Sequence, residues 1–301
     1  MKNNVPSPYL AEFIARHRLP ETYAADAQQW FAPIAEKIFV ESSNNHKTHI
    51  VGINGSQGSG KSTLADYLAL LLRENYQLNV VVLSIDDFYL TQRQRKLLSK
   101  TIHPLMATRG VPGTHDISLA LEVIQSLTEG TNITRVPRFD KSVDDRFPED
   151  EWDTVIPPTD IIILEGWCVG AVPQTADELL KDVNDLEKEE DPDGTWRNYV
   201  NRQLGEIYQE LFNLVDSWIM LKAPSFDCVF QWRLEQEHKL RSSISIASSD
   251  TDSNKVMDDN GVKRFIQYYQ RITEHLLDTL PEKADILFEL DENRKIFNTR
   301  P

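Results

Sequence analysis

Five short, nearly continuous apolar runs punctuate the chain, at His49–Ile53, Asn79–Ile85, Asp160–Leu164, Trp218–Leu221 and Asp285–Leu290. Runs this short, without polar alternation, predict strands buried on both faces. Between them the spacing becomes helical: Leu64, Leu68, Leu71 and Leu72 recur on one face, with Ala65 and Ala69 beside them. Strands alternating with helices predict a three-layer α/β fold around a mostly parallel five-stranded sheet. Residues 1–45 predict an N-terminal helical extension, with Trp30, Phe31, Ile34 and Ile38 on one face. It should rest on the core formed by 46–301 and take no part in chemistry. Two stretches break the pattern. Asp177–Gly194 is acid-rich and predicts a solvated helix or a mobile loop; Ser242–Gly261 is rich in Ser and Asp and predicts a flexible surface loop. They fall in two insert or lid segments, near 177–200 and 233–261.

The first run leads into "GINGSQGSGKST", Gly52 to Thr63, where Gly55, Gly60, Lys61 and Ser62 stand at the spacing of a phosphate-binding loop. Strand, glycine-rich loop and helix, in that order, are what the chemistry requires. The glycines let backbone N–H groups along Gly55, Ser56, Gln57, Gly58, Ser59 and Gly60 converge on an anion. The helix N-terminus at Lys61, Ser62 and Thr63 adds partial positive charge. Lys61 reaches the outer phosphates, and Ser62 offers its hydroxyl to Mg²⁺. The segment predicts a nucleoside triphosphate site and makes the expected architecture a P-loop NTPase fold.

Ligands of open parallel sheets sit beyond the carboxyl ends of the strands. "SIDDFYL" puts Asp86 and Asp87 there after the second run, and "IIILEGW" puts Glu165 there after the third. A carboxylate closing an aliphatic run needs a use, because an unpaired charge there is costly. Asp86 is the candidate base, orienting an alcohol and accepting its proton. Asp87 reads equally as a helix cap or a catalytic group. Glu165 is the candidate for Mg²⁺ or its waters. No Asn-Lys-x-Asp run for guanine occurs, which speaks against a GTPase switch.

The net charge of −15 argues against a nucleic-acid partner, since phosphate backbones demand a basic face. It also makes basic loops conspicuous. "HPLMATRGVPGTHD" holds Arg109 in an irregular, Gly- and Pro-rich setting, and "RVPRFDKSVDDRFP" holds Arg135, Arg138, Lys141 and Arg146. Together they predict a small-molecule anionic acceptor, although Asp140, Asp144 and Asp145 offer each cation a pairing partner instead. In "QWRLEQEHKLR", Arg233, Lys239 and Arg241 lie on a predicted helix, and a lid closing over ATP would use one or two of them. Cys168 and Cys228 lack metal or disulfide spacing. There is no apolar leader and no run of ~18 apolar residues, so a cytoplasmic protein without a membrane span is expected.

The pieces "GSQGSGKST", "SIDDFYLT", "HPLMATRGVPGTHD", "RVPRFDKSVDDR", "LEGW", "DGTWRNYVN" and "WRLEQEHKLR" run from about residue 50 towards the C-terminus. In that order they resemble the P-loop kinases grouped with phosphoribulokinase, uridine kinase and pantothenate kinase, and more closely the plant-type D-glycerate 3-kinase family. The resemblance implies transfer of the ATP γ-phosphate to a hydroxyl, with ATP and Mg²⁺ as cofactors. It implies Asp86 as base, Lys61 and Ser62 serving ATP and Mg²⁺, and Arg109 in the acceptor site. It also implies that Arg233 or Arg241 faces phosphate from a lid. Beside these, Asp87, Tyr89, Arg138, Lys141 and Arg146 are the further residues expected to border the acceptor. One departure bears on the substrate. Plant-type members carry a Gly-rich insertion where Asp140-Lys-Ser142 is here followed almost at once by Arg146. D-Glycerate is therefore the first acceptor to expect, with a sugar, a nucleoside or a pantothenate-like acid as alternatives. A non-metabolic ATP-binding switch is a third possibility.

Overall fold

The computed structural model describes residues 8–45, 47–247 and 257–300. In chain order the strands are β1 (His49–Gly55), β2 (Val80–Ser84), β3 (Thr134–Val136), β4 (Phe139–Asp140), β5 (Asp145–Arg146), β6 (Asp153–Val155), β7 (Ile161–Gly166), β8 (Ser217–Lys222), β9 (Ile286–Leu290) and β10 (Ile296–Arg300). The central sheet runs β10-β9-β8-β1-β7-β2. Its β9-β8-β1-β7-β2 portion is parallel and corresponds to the five apolar runs. The sixth strand was not expected: β10 pairs antiparallel with β9. Residues 296 and 297 are its only large apolar side chains, and Phe297 is exposed, so no apolar run announces it.

Every residue of β1 and β7 is buried, as strands covered on both faces must be. The register aligns their exits. Ile53 pairs with Glu165, and Ser84 of β2 pairs with the same Glu165, so the ends of β1, β7 and β2 meet at one point. Helix Lys61–Tyr76 leaves that point with Leu64, Leu68 and Leu72 fully buried. The N-terminal helices lie on it through rings: Phe13 and Phe31 stand 5.2 and 6.2 Å from Tyr67, and Phe31 5.7 Å from Phe288 of β9. No helix among the described residues is long and apolar enough to cross a membrane.

The two inserts differ in part from expectation. Asp177–Gly194 is exposed along most of its length, as expected, but it is anchored at a few buried positions. It forms short helices at Ala176–Leu179, which buries Leu179, and Asp185–Glu190, which buries Leu186 and Glu187, and the residue that follows, Asp191, is buried as well. Arg271, on helix Asp259–Thr279, donates through Nε and Nη2 to the Glu187 carboxylate at 2.7 and 2.6 Å. The Arg197 guanidinium donates through Nη1 alone to the Asp191 carboxylate at 3.1 Å, while its Nε donates to the Leu179 carbonyl. The acids of this segment are thus partly internal counter-ions, which composition cannot distinguish from a solvated face. At the second insert, helix Phe226–Ala247 extends six residues past Arg241, into the stretch expected to be a loop. Residues 248–256 of that stretch lie outside the described residues.

Candidate active site

The loop after β1 turns on glycines in the left-handed region, Gly58 at φ 81° and Gly60 at φ 92°, where other residues are strained. Gly55 is needed for space, since a Cβ there would lie 2.4 Å from Ser59 Oγ. The hydroxyls of Ser56 and Ser59 and the amide oxygen of Gln57 are buried without hydrogen-bond partners. Buried polar groups are normally paired, and the first turn of helix Lys61–Tyr76 leaves amides free beside them. This is a cradle shaped for an anion. Across from it, Ser62 Oγ donates to Glu165 Oε1 at 2.9 Å, and Lys61 Nζ stands 4.0 Å from Glu165 Oε2. That Oε2 is buried and accepts no hydrogen bond. A hydroxyl beside a carboxylate with one oxygen free of hydrogen bonds is an all-oxygen donor set of the kind Mg²⁺ takes, so the residues present fit that ion.

After β2 the chain enters a 3₁₀ turn, Ile85–Phe88, and its two carboxylates part. Asp86 enters the cleft: Oδ1 accepts from the Tyr89 hydroxyl at 2.8 Å and Oδ2 from Lys141 Nζ at 2.7 Å. Burial pushes the Asp86 carboxyl up, but Lys141, Lys61 and these two hydrogen bonds outweigh it and bring it down to about 2. Asp87 turns away. It accepts from Arg138 Nη1 at 2.7 Å and from the Phe139 amide at 3.2 Å, while burial still holds its carboxyl above the ordinary range.

A cleft of about 300 Å³ opens in front of Lys61 and Asp86, bordered by Gln57, Gly58, Tyr89, Arg109, Lys141, Arg233 and Gln236. Trp167, Phe265 and Tyr269 form its aromatic wall. Arg109 lies over the Phe139 ring, 5.5 Å from its centroid, and donates to the Asp144 carboxylate. Asp144, at φ 60°, is also held by Arg95, only 1% exposed, whose guanidinium reaches its carboxylate at 3.0 Å. Arg233 pairs with the buried Glu237 at 2.6 Å and lies over Phe265.

Not every expected cation reaches this cleft. Arg138 ties Asp87 to Asp153 and borders a separate groove along the free edge of β2. Arg146 donates to the Tyr89 carbonyl at 2.9 Å and stands 3.3 Å from Asp116. Arg241 donates to the Met257 carbonyl and lies 3.6 Å from Asp259, and it is not among the residues that border the cleft. Of the expected acceptor group, Tyr89, Arg109 and Lys141 border the cleft, whereas Asp87, Arg138 and Arg146 do not. Sequence reasoning missed Trp167, Gln236, Phe265 and Tyr269. The last two stand one turn apart on helix Asp259–Thr279, a spacing that reads as ordinary core packing. In the structure Gly110 makes room for Tyr269, since at φ 136° a Cβ there would lie 2.2 Å from Tyr269 Oη.

Comparison with known proteins agrees with this geometry. Residues 50–192 match the model of the phosphoribulokinase / uridine kinase family. The uncharacterized kinase mug58 of Schizosaccharomyces pombe is 35% identical over 264 residues, covering 81% of this chain and 88% of its own. Chloroplastic D-glycerate 3-kinase of Arabidopsis thaliana is 29% identical over 259 residues, 81% of this chain but only 53% of the plant protein. The solved structure of D-glycerate 3-kinase from Cryptococcus neoformans superposes with a TM-score of 0.74 at 25% identity, covering 90% of this chain and 99% of that one. The chain belongs to the phosphoribulokinase / uridine kinase family of P-loop kinases.

Proposed function

We propose that this kinase transfers the ATP γ-phosphate to a hydroxyl of a small hydroxy acid, with D-glycerate as the acceptor. The observation that carries the reading is the pairing of charges in one cleft. An ionised Asp86 faces it together with Arg109 and Lys141, in a chain whose net charge is −15. A small acid has little apolar surface, so its orientation must come from charge-assisted hydrogen bonds to its carboxylate. Arg109 is suited to that grip, because a guanidinium holds both oxygens while Asp144 and Phe139 fix its plane. The hydroxyl then lies against Asp86, which orients it and accepts its proton as the oxygen attacks the γ-phosphorus. The P–O bond to the β-phosphate breaks, and its electron pair leaves on ADP. Lys61 and Arg233 border the same cleft, which supports a role for both in neutralising charge on the outer phosphates. Mg²⁺, when bound, supplies further charge neutralisation there, and Ser62 and Glu165 are the residues that would hold it.

The likeness to D-glycerate 3-kinases supports the choice of acid. Both cysteines are free, which supports a reducing compartment such as the cytosol. The experiment is ATP turnover against a panel of D-glycerate, glycerol, a nucleoside and pantothenate. Turnover led by D-glycerate is the expected result. Turnover led by a neutral sugar or nucleoside would remove the hydroxy-acid reading, and ATPase activity indifferent to every acceptor would favour a nucleotide switch.

A further inference from the structure

Asp86 has two hydrogen-bond partners of different character. Tyr89 is built into the core: it is 3% exposed, stacked 4.5 Å from His115, and that imidazole is bonded to Tyr208. Lys141 is attached only by its tip. Its side chain is 60% exposed and stands on the turn between β4 and β5, with Nζ 2.7 Å from Asp86 Oδ2. The base of that hairpin is pinned, because Phe139 N donates to Asp87 and Arg146 to the Tyr89 carbonyl. The turn is shaped by Ser142 N donating to Asp140 Oδ1 at 2.8 Å and by Asp144 in the left-handed region. The same hairpin brings Asp144 to Arg109. An acid gripped by Arg109 therefore brings its carboxylate into the cleft that Lys141 borders.

We propose that Lys141 senses acceptor charge: it pairs with Asp86 in the empty cleft and moves to the acceptor's carboxylate on binding, releasing Asp86 to take the hydroxyl proton. The inference rests on the hydroxy-acid reading above and adds the residue that rejects neutral polyols. A half-open ion pair is worth little by itself, so exchanging one carboxylate for another costs little. The effect on Asp86 is larger, since burial raises its carboxyl and Lys141 is the leading influence holding it down. The other groups around Asp86 stay in place through the exchange: Lys61 from the P-loop helix, Tyr89, Asp87 and His115 from the β2 exit and its loop, Cys168 after β7, and Tyr269 from helix Asp259–Thr279. A neutral acceptor offers nothing to draw Lys141 away, and the hydroxyl then meets a carboxylate of low basicity.

The test compares D-glycerate with glycerol, which replaces the carboxylate by a neutral hydroxymethyl group, in the wild type, Lys141→Met and Lys141→Arg. The expected result for Lys141→Met is a fall in kcat/KM for glycerate and a rise of about tenfold or more in the glycerol-to-glycerate ratio. With glycerol, which does not titrate, the acid limb of kcat/KM should also move to higher pH, while Lys141→Arg keeps both properties near wild type. The limb reads the Lys141–Asp86 pair whichever acceptor the wild type prefers. A wild type that phosphorylates glycerate, with ratio and limb unchanged in Lys141→Met, overturns the sensor and leaves the proposed function standing. A wild type that prefers glycerol overturns the hydroxy-acid reading and charge sensing together, even where the limb moves.

Discussion

Asp86 and Asp87 are neighbours in the chain with opposite surroundings, because a 3₁₀ turn sends one into the cleft and the other towards Arg138. Substitution should separate them. Asp86→Asn keeps the shape and removes the proton acceptor, so kcat should fall by ~10²–10⁴ with ATP affinity little changed, as steady-state kinetics and ATP-induced thermal shift would show. Asp87→Asn should instead lower the melting temperature, through a weakened hold on Arg138 and Phe139, with most of the kcat retained. A large kcat loss in Asp87→Asn alone would transfer the base to that position. Lys61→Ala should abolish turnover and blunt the thermal shift given by ATP, since the outer phosphates lose their cation. Asp144 matters through another residue. Asp144→Ala leaves Arg109 without its anchor and the buried Arg95 without its counter-ion, so KM for the acid should rise about tenfold while KM for ATP holds.

Helix Asp259–Thr279 brings Phe265 and Tyr269 to the cleft, and a buried ion pair ties it to an insert that composition alone describes as solvated. The clamp is the Glu187–Arg271 pair, with side chains 1% and 8% exposed. Removing one partner of a buried pair strands the other, at a cost of about 3–5 kcal/mol. Arg271→Met should therefore lower stability by that amount in urea unfolding. The double change Glu187→Leu with Arg271→Met should recover much of the loss, because two apolar side chains leave no stranded charge. A single variant as stable as the wild type would show that the insert does not hold the helix.

For the molecule as a whole, the acid limit of stability should be set partly by imidazoles buried in neutral form. Burial brings His115 down to about 4 and also lowers His49. An unfolded histidine titrates near 6.5, so between pH 6.5 and 4 the unfolded chain binds protons that the folded chain refuses. The stability held above pH 6.5 is then lost as pH falls, at up to ~1.4 kcal/mol per pH unit for each such residue. The lowered Asp86 carboxyl contributes with the same sign, but only below the unfolded value near 3.9 and down to about 2. Melting temperatures at pH 7.5 and 5 should show the loss. His115→Phe, which keeps an aromatic ring against Tyr89, should make the drop shallower. An unchanged slope would mean that His115 is protonated in the folded state.

The sequence by itself determined the parallel core and the phosphate loop, because both are written in local order. Apolar run lengths mark strands such as β1 and β7, and four residues at fixed spacing, Gly55, Gly60, Lys61 and Ser62, mark the turn between a strand and a helix. Glu165 and Asp86 were legible for the same reason, since a charge that ends an aliphatic run stands out. The strand β10 was not, because a sheet edge needs little apolar sequence to pair. Only the tertiary structure decided which cations face the cleft. Arg109, Arg138, Lys141 and Arg146 are alike in type, yet Asp87 and Asp153 capture Arg138, Asp116 and the Tyr89 carbonyl capture Arg146, and Asp144 turns Arg109 alongside the cleft. Each outcome is a competition for counter-ions among residues far apart in the chain, so it is settled only when folding brings the competitors within a few ångströms of one another.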